Sequence, residues 1–373
     1  MNSVRALKTN IDEFILPQVY CTCGFLRLYK KGDKMLNKLG LNRYKFNIEN
    51  KDNIGRIVAQ YSNIYKISNG KSEIMATLSG KEYYKASRSD FPVVGDWVIY
   101  ERYNKDSNGV IKKVLKRGTK LSRQEAGKKE KEQIIASNID LIFIVTSLNQ
   151  EFNKRRLERY LTIAWDSGAK PIIILNKSDL CDDIEFFKTE VENIAFNTPY
   201  IISSCVKNQG IEDIKDMISP NKTAVLVGSS GVGKSSIINM LLGESSQDTK
   251  DIRENDGRGK HTTTNRELFL VPAGGIIIDT PGMREIQLWV DENSLDNVFS
   301  EIDELSAECK FNDCTHQHEP GCAVKLAVKE GRLNEDRLEN YFKMKREIEY
   351  QKLKEKYNSN RANKIKWEKL KNQ

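Results

Sequence analysis

The stretch from Thr223 to Met240, TAVLVGSSGVGKSSIINM, constrains this chain more than any other part of it. An apolar run meets a glycine-rich loop, and the loop leads straight into an apolar-periodic helix. That strand–loop–helix order is what a phosphate-binding loop requires. Gly228, Ser229, Ser230, Gly231, Val232, Gly233, Lys234 and Ser235 keep the full G-x-x-x-x-G-K-S spacing, and Ser236 follows. The three glycines let the backbone turn its N–H groups inward at a helix N-terminus, whose dipole favours anions. Lys234 then reaches the β- and γ-phosphates of a nucleoside triphosphate, and the Ser235 hydroxyl holds Mg²⁺.

The surrounding rhythm fits an α/β domain. Ile139–Thr146 is a continuous apolar run, as expected of a parallel strand covered on both faces. Leu157, Leu161, Ala164 and Trp165 recur at helical spacing, and strands are expected again at Pro171–Leu175, Tyr200–Ser203 and Thr223–Val227. The alternation predicts a doubly wound parallel sheet. Ligands bind such sheets at the carboxyl ends of the strands. Asn176-Lys177-Ser178-Asp179 stands at such an end. The Asp179 carboxylate can accept from guanine N1–H and the exocyclic amine, whereas adenine would leave it unpaired. Lys177 packs along loop and base, Asn176 ties the loops together, and Ser203-Ser204-Cys205 offers backbone N–H to the guanine carbonyl.

Asp279-Thr280-Pro281-Gly282 ends another apolar run. Asp279 reaches Mg²⁺ through water, and the Gly282 N–H senses the γ-phosphate. Between the two phosphate motifs, Gly243 to Thr264 reads as a switch ending in His261-Thr262-Thr263-Thr264, with Thr263 chosen as the residue that closes on Mg²⁺. The position after Gly282 is Met283, whose thioether cannot hold a water firmly. His261 is the expected water-orienting group. Base-reading and phosphate motifs come in the reverse of the order found in ordinary small GTPases, so a circularly permuted domain is expected.

Composition bounds the rest. At 373 residues the chain needs two or three domains. No apolar run approaches the roughly 20 residues that cross a bilayer. The N-terminal stretch carries Asp12 and Glu13 where a signal peptide would be apolar, and the seven cysteines are mostly scattered. These features predict a cytoplasmic protein in a reducing compartment, without a membrane partner. Of the net charge of +8, residues 341–373 hold +7, with eleven Lys and Arg against four Asp and Glu. Such a tail suits an anionic partner such as RNA, or is a solvated helix with none.

Residues 1–49 read as a lead segment without periodicity, with Cys21 and Cys23 incidental and Met35 resembling a natural start. Residues 50–121 alternate in short β-type runs with turns at Asn69-Gly70 and Asn108-Gly109, which suits a small closed barrel of OB type. Tyr61, Tyr65, Tyr83, Tyr84 and Trp97, near Lys66, Arg88 and Lys112, either stack on bases or pack the barrel. Residues 122–137 read as a polar linker opening a G domain over 122–290. Residues 291–373 read as helical, with Cys309, Cys314, His316 and Cys322 spaced for a closed structural Zn²⁺ site and His318 as a spare ligand.

Together, these motifs over about residues 50 to 330 resemble the RsgA/YjeQ family of ribosome biogenesis GTPases. The resemblance implies an α/β fold: a circularly permuted P-loop GTPase domain, with an N-terminal OB-type β-barrel and a C-terminal α-helical zinc-binding domain. It implies a monomer that binds GTP and GDP, with Mg²⁺ beside the nucleotide and one structural Zn²⁺. Its partners would be the small ribosomal subunit and its rRNA, with GTP hydrolysis stimulated by that subunit late in its maturation. The rival readings are a permuted GTPase of the large subunit, a GTP-gated rRNA-binding factor in which hydrolysis is incidental, and an interaction protein with an inactive G domain.

Overall fold

The structure is a computed structural model, and it describes residues 34–46, 54–80, 88–102, 108–124, 132–149, 152–195, 198–243, 266–280, 292–357 and 361–365. Cys21, Cys23, Tyr83, Tyr84, His261, Thr262, Thr263, Pro281, Gly282 and Met283 lie outside the described residues.

Helix α1 (Lys34–Lys38) leads into a short 3₁₀ turn, and Leu36, Leu39 and Leu41 are buried. Part of the stretch read as a featureless lead is therefore packed into the fold. Five strands follow as a barrel: β1 (Ile54–Tyr61), β2 (Ile64–Ser68), β3 (Glu73–Leu78), β4 (Trp97–Glu101) and β5 (Gly109–Val114). Their order β1-β2-β3-β5-β4 closes with β4 back on β1, so no barrel edge is left open. Alternation turns Ile57, Ile67, Ile74, Ala76, Val98 and Ile111 into the core. Between β2 and β3, Gly70 has φ 84°, and a Cβ there would lie 2.7 Å from the Met35 backbone. Only glycine allows α1 to press on that turn.

Two of the aromatics do not form a base-stacking surface. Tyr65 is 2% exposed inside the barrel core, and Trp97, at 0%, lies beneath the Arg56 guanidinium and Phe46. Lys66 and Lys112 pair with Glu73 and Glu101.

The stretch expected to be a linker is instead largely a hairpin, β6 (Lys120–Gln124) with β7 (Glu132–Ser137). Cross-strand polar pairs, Ser122 with Glu132 and Arg123 with Gln133, link the two strands, while Leu121, Ile134, Ile135 and Ala136 are buried. β6 runs across the boundary drawn at residues 121 and 122.

The second sheet is built from β8 (Leu141–Ser147), β9 (Lys170–Asn176), β10 (Tyr200–Ile202), β11 (Thr223–Val227), β12 (Arg266–Leu270) and β13 (Ile276–Asp279). Its order is β10-β9-β8-β11-β13-β12, parallel except for β12. Strand parity divides the core. Ile142, Ile144, Ile173, Leu175, Val225 and Val227 face α2 (Lys154–Asp166) and α3 (Ile184–Ile194). Phe143, Val145, Ile172, Ile174, Ala224 and Leu226 face α4 (Ile211–Ile218) and α5 (Lys234–Leu242). This is the doubly wound arrangement that the continuous apolar runs imply. Trp165, grouped with the apolar face of α2, is 39% exposed, and Glu158 and Tyr160 are buried there instead.

Barrel and sheet are joined. Ala59 and Gln60 of β1 pair antiparallel with Glu267 and Arg266 of β12. At another seam the fully buried Arg56 donates to the carbonyls of Gly95 (3.1 Å), Leu39 (2.6 Å) and Asn138 (3.0 Å). The buried Asp96 accepts from Ser137 Oγ at 2.5 Å and pairs with Arg117 at 2.8 Å.

After the sheet come α6 (Glu292–Val298), α7 (Ser300–Ser306), α8 (Ala323–Lys329) and the long α9 (Glu335–Lys356). The last of these docks on α2. Arg337 lies over the Phe299 ring and donates to Glu158 at 2.7 Å, and Asn340 also donates to Glu158. Burial raises the Glu158 carboxyl above its usual range, against the opposing pull of Arg337.

Candidate functional site

The phosphate-loop backbone takes the turn its glycines permit. Gly228, Gly231 and Gly233 have φ of 148°, 80° and 100°. The surroundings demand glycine at two of them: a Cβ on Gly228 would meet the Val145 carbonyl at 2.3 Å, and one on Gly233 would meet Asn176 Nδ2 at 2.2 Å. Val232 is buried against Ile237 and Ile238, which anchors the loop, while Ser230, Gly231, Ser235 and Ser236 are exposed at its mouth. Lys234 Nζ arches back over the loop and donates to the carbonyls of Gly228 (2.8 Å) and Ser229 (2.6 Å).

Asn176 joins this loop to the turn at Ser203. Its Nδ2 donates to the Val232 carbonyl at 2.8 Å, and its Oδ1 accepts from Ser203 Oγ at 3.0 Å. Asn176 is 2% exposed and ends β9, one strand removed from β11, so the sheet itself sets this span. Lys177 takes the left-handed conformation, φ 63°, and starts a one-turn 3₁₀ helix over Ser178–Leu180. The Ser178 N–H donates to the Ser203 carbonyl at 3.1 Å, and Ser204 Oγ donates to Asp179 Oδ1 at 2.5 Å. That hydroxyl holds the Asp179 carboxyl below its usual range, and burial, with the nearby Asp179 charge, pushes the Cys205 thiol up. Asp179 is thus an ionised acceptor at the open edge of the sheet.

Asp279 ends β13, next to β11, so the second strand-end acid stands beside the phosphate loop. The other candidates of that region, His261, Thr263 and Gly282, lie outside the described residues.

The knuckle residues converge on one point. Cys309, Cys314, His316 and Cys322 bring their ligand atoms within 4.8 Å of one another. Cys309 Sγ and Cys322 Sγ are 3.9 Å apart, and His316 Nδ1 lies 3.6 Å and 3.5 Å from them. Zinc bonds of about 2.3 Å to sulfur and about 2.0–2.1 Å to nitrogen require tetrahedral edges of about 3.8 Å and about 3.6 Å. The donor set therefore fits zinc in both chemistry and size. His318 is outside the cluster, which assigns the imidazole to His316.

Sequence reasoning missed what shapes this loop. The Glu319 carboxylate accepts from Thr315 N and Oγ1 (2.8 and 2.5 Å) and from the Gln317 and His318 N–H groups (both 3.1 Å). These bonds, the Thr315 hydroxyl foremost, hold Glu319 well below the usual carboxylate range. Cys322 caps α8, its sulfur accepting from Lys325 N at 3.4 Å. Also missed was Arg156 of α2, bonded to Ser229 of the phosphate loop, with Tyr160 beside it in the same cleft. Arg156 lies in the run KRRLER, whose charge reads as a solvated face.

A family model for the RsgA GTPase matches residues 114–289. The chain is 45% identical over 306 residues to the small ribosomal subunit biogenesis GTPase RsgA 2 of Lactiplantibacillus plantarum, spanning 82% of this chain and 86% of that one. Among solved structures it is similar to YjeQ from Thermotoga maritima, with a TM-score of 0.58 and 29% identity over 79% of this chain and 98% of the other. YloQ, described as a circularly permuted GTPase, matches at a TM-score of 0.58 and 27% identity, covering 79% and 94%. With a permuted nucleotide domain behind a five-stranded barrel and a Cys₃His cluster beyond it, the chain belongs to the RsgA GTPase family and is a GTP hydrolase.

Proposed function

We propose that this chain binds the small ribosomal subunit, hydrolyses GTP when that subunit stimulates it, and so times its own residence on maturing rRNA. The observation that carries the reading is the Asn176 bridge, which holds the phosphate loop and the guanine-reading loops as one unit. The relatives' names supply the subunit.

In this mechanism Asp179 accepts from the guanine N1–H and amine. Lys177 packs along the base, Ser178 braces the loop, and the Ser203-Ser204 turn faces the guanine carbonyl. The backbone N–H groups from Gly228 to Ser236 cradle the phosphates, and Lys234 neutralises charge developing on the β–γ bridge and γ-oxygens. Ser235, Asp279 and Thr263 are the residues that would hold Mg²⁺. When bound, that ion spreads charge over the β- and γ-oxygens. The Gly282 N–H senses the γ-phosphate, and His261 orients the attacking water. Cys309, Cys314, His316 and Cys322 would hold a structural Zn²⁺, which would supply folding free energy.

The basic C-terminal residues face rRNA, and the protein acts as a cytoplasmic monomer. No helix among the described residues is long and apolar enough to cross a membrane. Single-turnover hydrolysis with and without separated ribosomal subunits tests the reading. Stimulation by the small subunit is expected, and equal rates with either subunit or neither would overturn it.

A further inference from the structure

Helix α2 carries four basic residues in its first two turns: Lys154, Arg155, Arg156 and Arg159. Three of them have carboxylate partners. Lys154 pairs with Glu190, Arg155 with Asp336 and Glu339 (3.8 and 3.6 Å), and Arg159 with Glu347 (2.9 Å). Arg156 is the exception. Among the described residues its recorded polar partner is a neutral hydroxyl, Ser229 Oγ, reached by Nη1 at 2.6 Å. Ser229 is the second residue of the phosphate loop, and its carbonyl accepts from Lys234 Nζ. Two cations, from helices on opposite faces of the sheet, therefore converge on one phosphate-loop residue. Tyr160, one turn further along α2, lines the same cleft as this serine and is pushed up by burial. A narrow cleft lined by Thr146, Asn153, Arg156, Tyr160, Ser229 and Val232 runs between the end of β8, α2 and the loop.

A guanidinium without a counter-charge among the described residues, at the rim of an anion-binding loop, is matched by a phosphate oxygen far better than by a serine hydroxyl. Its hydrogen bond to an anion is charge-assisted at both ends, and its planar fork can engage two oxygens. The neighbouring acids Glu158, Glu190, Glu339 and Glu347 are held by other partners, so α2 itself offers nothing to compete.

We infer that Arg156 is a phosphate-binding residue, supplied in cis by α2, that turns from Ser229 to the terminal phosphate of the bound triphosphate. Lys234 and Arg156 then flank the charge that develops during hydrolysis, the part a second cation plays in phosphoryl transfer. The inference rests on the nucleotide site proposed above.

The test uses the full chain and the variants Arg156→Ala, Arg156→Lys and Ser229→Ala. It measures affinity for GDP and for a non-hydrolysable GTP analogue, and single-turnover hydrolysis with small subunits. Arg156 is exposed, so the variants are expected to keep the wild-type melting temperature. Arg156→Ala should weaken the GTP analogue about tenfold or more while GDP changes less than about twofold, and should slow hydrolysis by at least about tenfold. Arg156→Lys should recover part of the affinity, because the charge remains without the fork. If Arg156→Ala and Ser229→Ala instead weaken both nucleotides equally, the contact is a brace of the loop and the inference falls. An unchanged ratio of GTP to GDP affinity with an unchanged rate would also sink it. Failure of the wild type to bind guanine nucleotides would remove the underlying site along with it.

Discussion

Replacing Asn176 with Ala removes the joint between the phosphate loop and the base-reading loops without touching a nucleotide contact. Two buried hydrogen bonds disappear, from Nδ2 to the Val232 carbonyl and from Ser203 Oγ to Oδ1. Val232 and Ser203 are 3% and 0% exposed, so water does not readily replace the lost partner. Each bond contributes about 0.5–1.5 kcal/mol net, and stranding the buried groups adds to the loss, for a total of about 2–4 kcal/mol. Urea unfolding of the full chain, read from the nucleotide domain, should register that loss. The loops also lose their preset spacing, so GTP and GDP affinity should fall together by about ten- to thirtyfold, equivalent to about 1.4–2 kcal/mol. A double-mutant cycle sharpens the test. Ser203→Ala should cost about 1 kcal/mol in the wild type and close to nothing in Asn176→Ala, because its hydroxyl acts through that amide. Strict additivity of the two substitutions, or unchanged affinity for both nucleotides, would refute the idea that Asn176 couples the loops.

Asp179→Asn should weaken GTP and improve binding of the xanthosine nucleotide, since the new amide presents a donor to the 2-position; competition binding decides, and unchanged GTP affinity would refute the base-reading role. Because Ser204 lowers the Asp179 carboxyl from its usual range, guanine affinity should be lost at a lower pH than an unassisted carboxylate would give. Ser204→Ala should move that acid limb upward, measurable as nucleotide affinity against pH. Cys314→Ser should lose bound zinc and ribosome affinity while GTP binding survives, because no nucleotide residue proposed here belongs to the knuckle; metal analysis of wild type and variant should read near one and near zero.

What could be read from the sequence was whatever a contiguous motif or a strict period carries. The phosphate loop, the strand ends and the barrel strands all fall in that class, and Thr223–Val227 coincides with the observed β11. The hairpin of β6 and β7 escaped because its polar residues, which pair across it as Lys120 with Glu132 and Arg123 with Gln133, look in sequence like a solvated linker. Arg56 escaped for another reason. Its three carbonyl partners are 17, 39 and 82 residues away, and no local pattern encodes such a contact. Tyr65 and Trp97 show the converse limit, since aromatic content cannot distinguish a stacking surface from a core. Arg156 is hidden in a charged run until the fold shows which of its neighbours are already neutralised.

The seam between β1 and β12 behaves as a clutch. Among the described residues two pairs hold it, Ala59 with Glu267 and Gln60 with Arg266, at the start of β12. A seam of that length is worth on the order of 1–3 kcal/mol, comparable to a single allosteric coupling free energy. The other junction, through Arg56, Asp96 and Ser137, is buried and many-bonded. Load applied to the barrel would open the short ladder first and leave the barrel pivoting on the strong one. A pull on the barrel is thereby transmitted to β12 and, through the pairing of Glu267 with Asp279, to the end of β13 beside the phosphate loop.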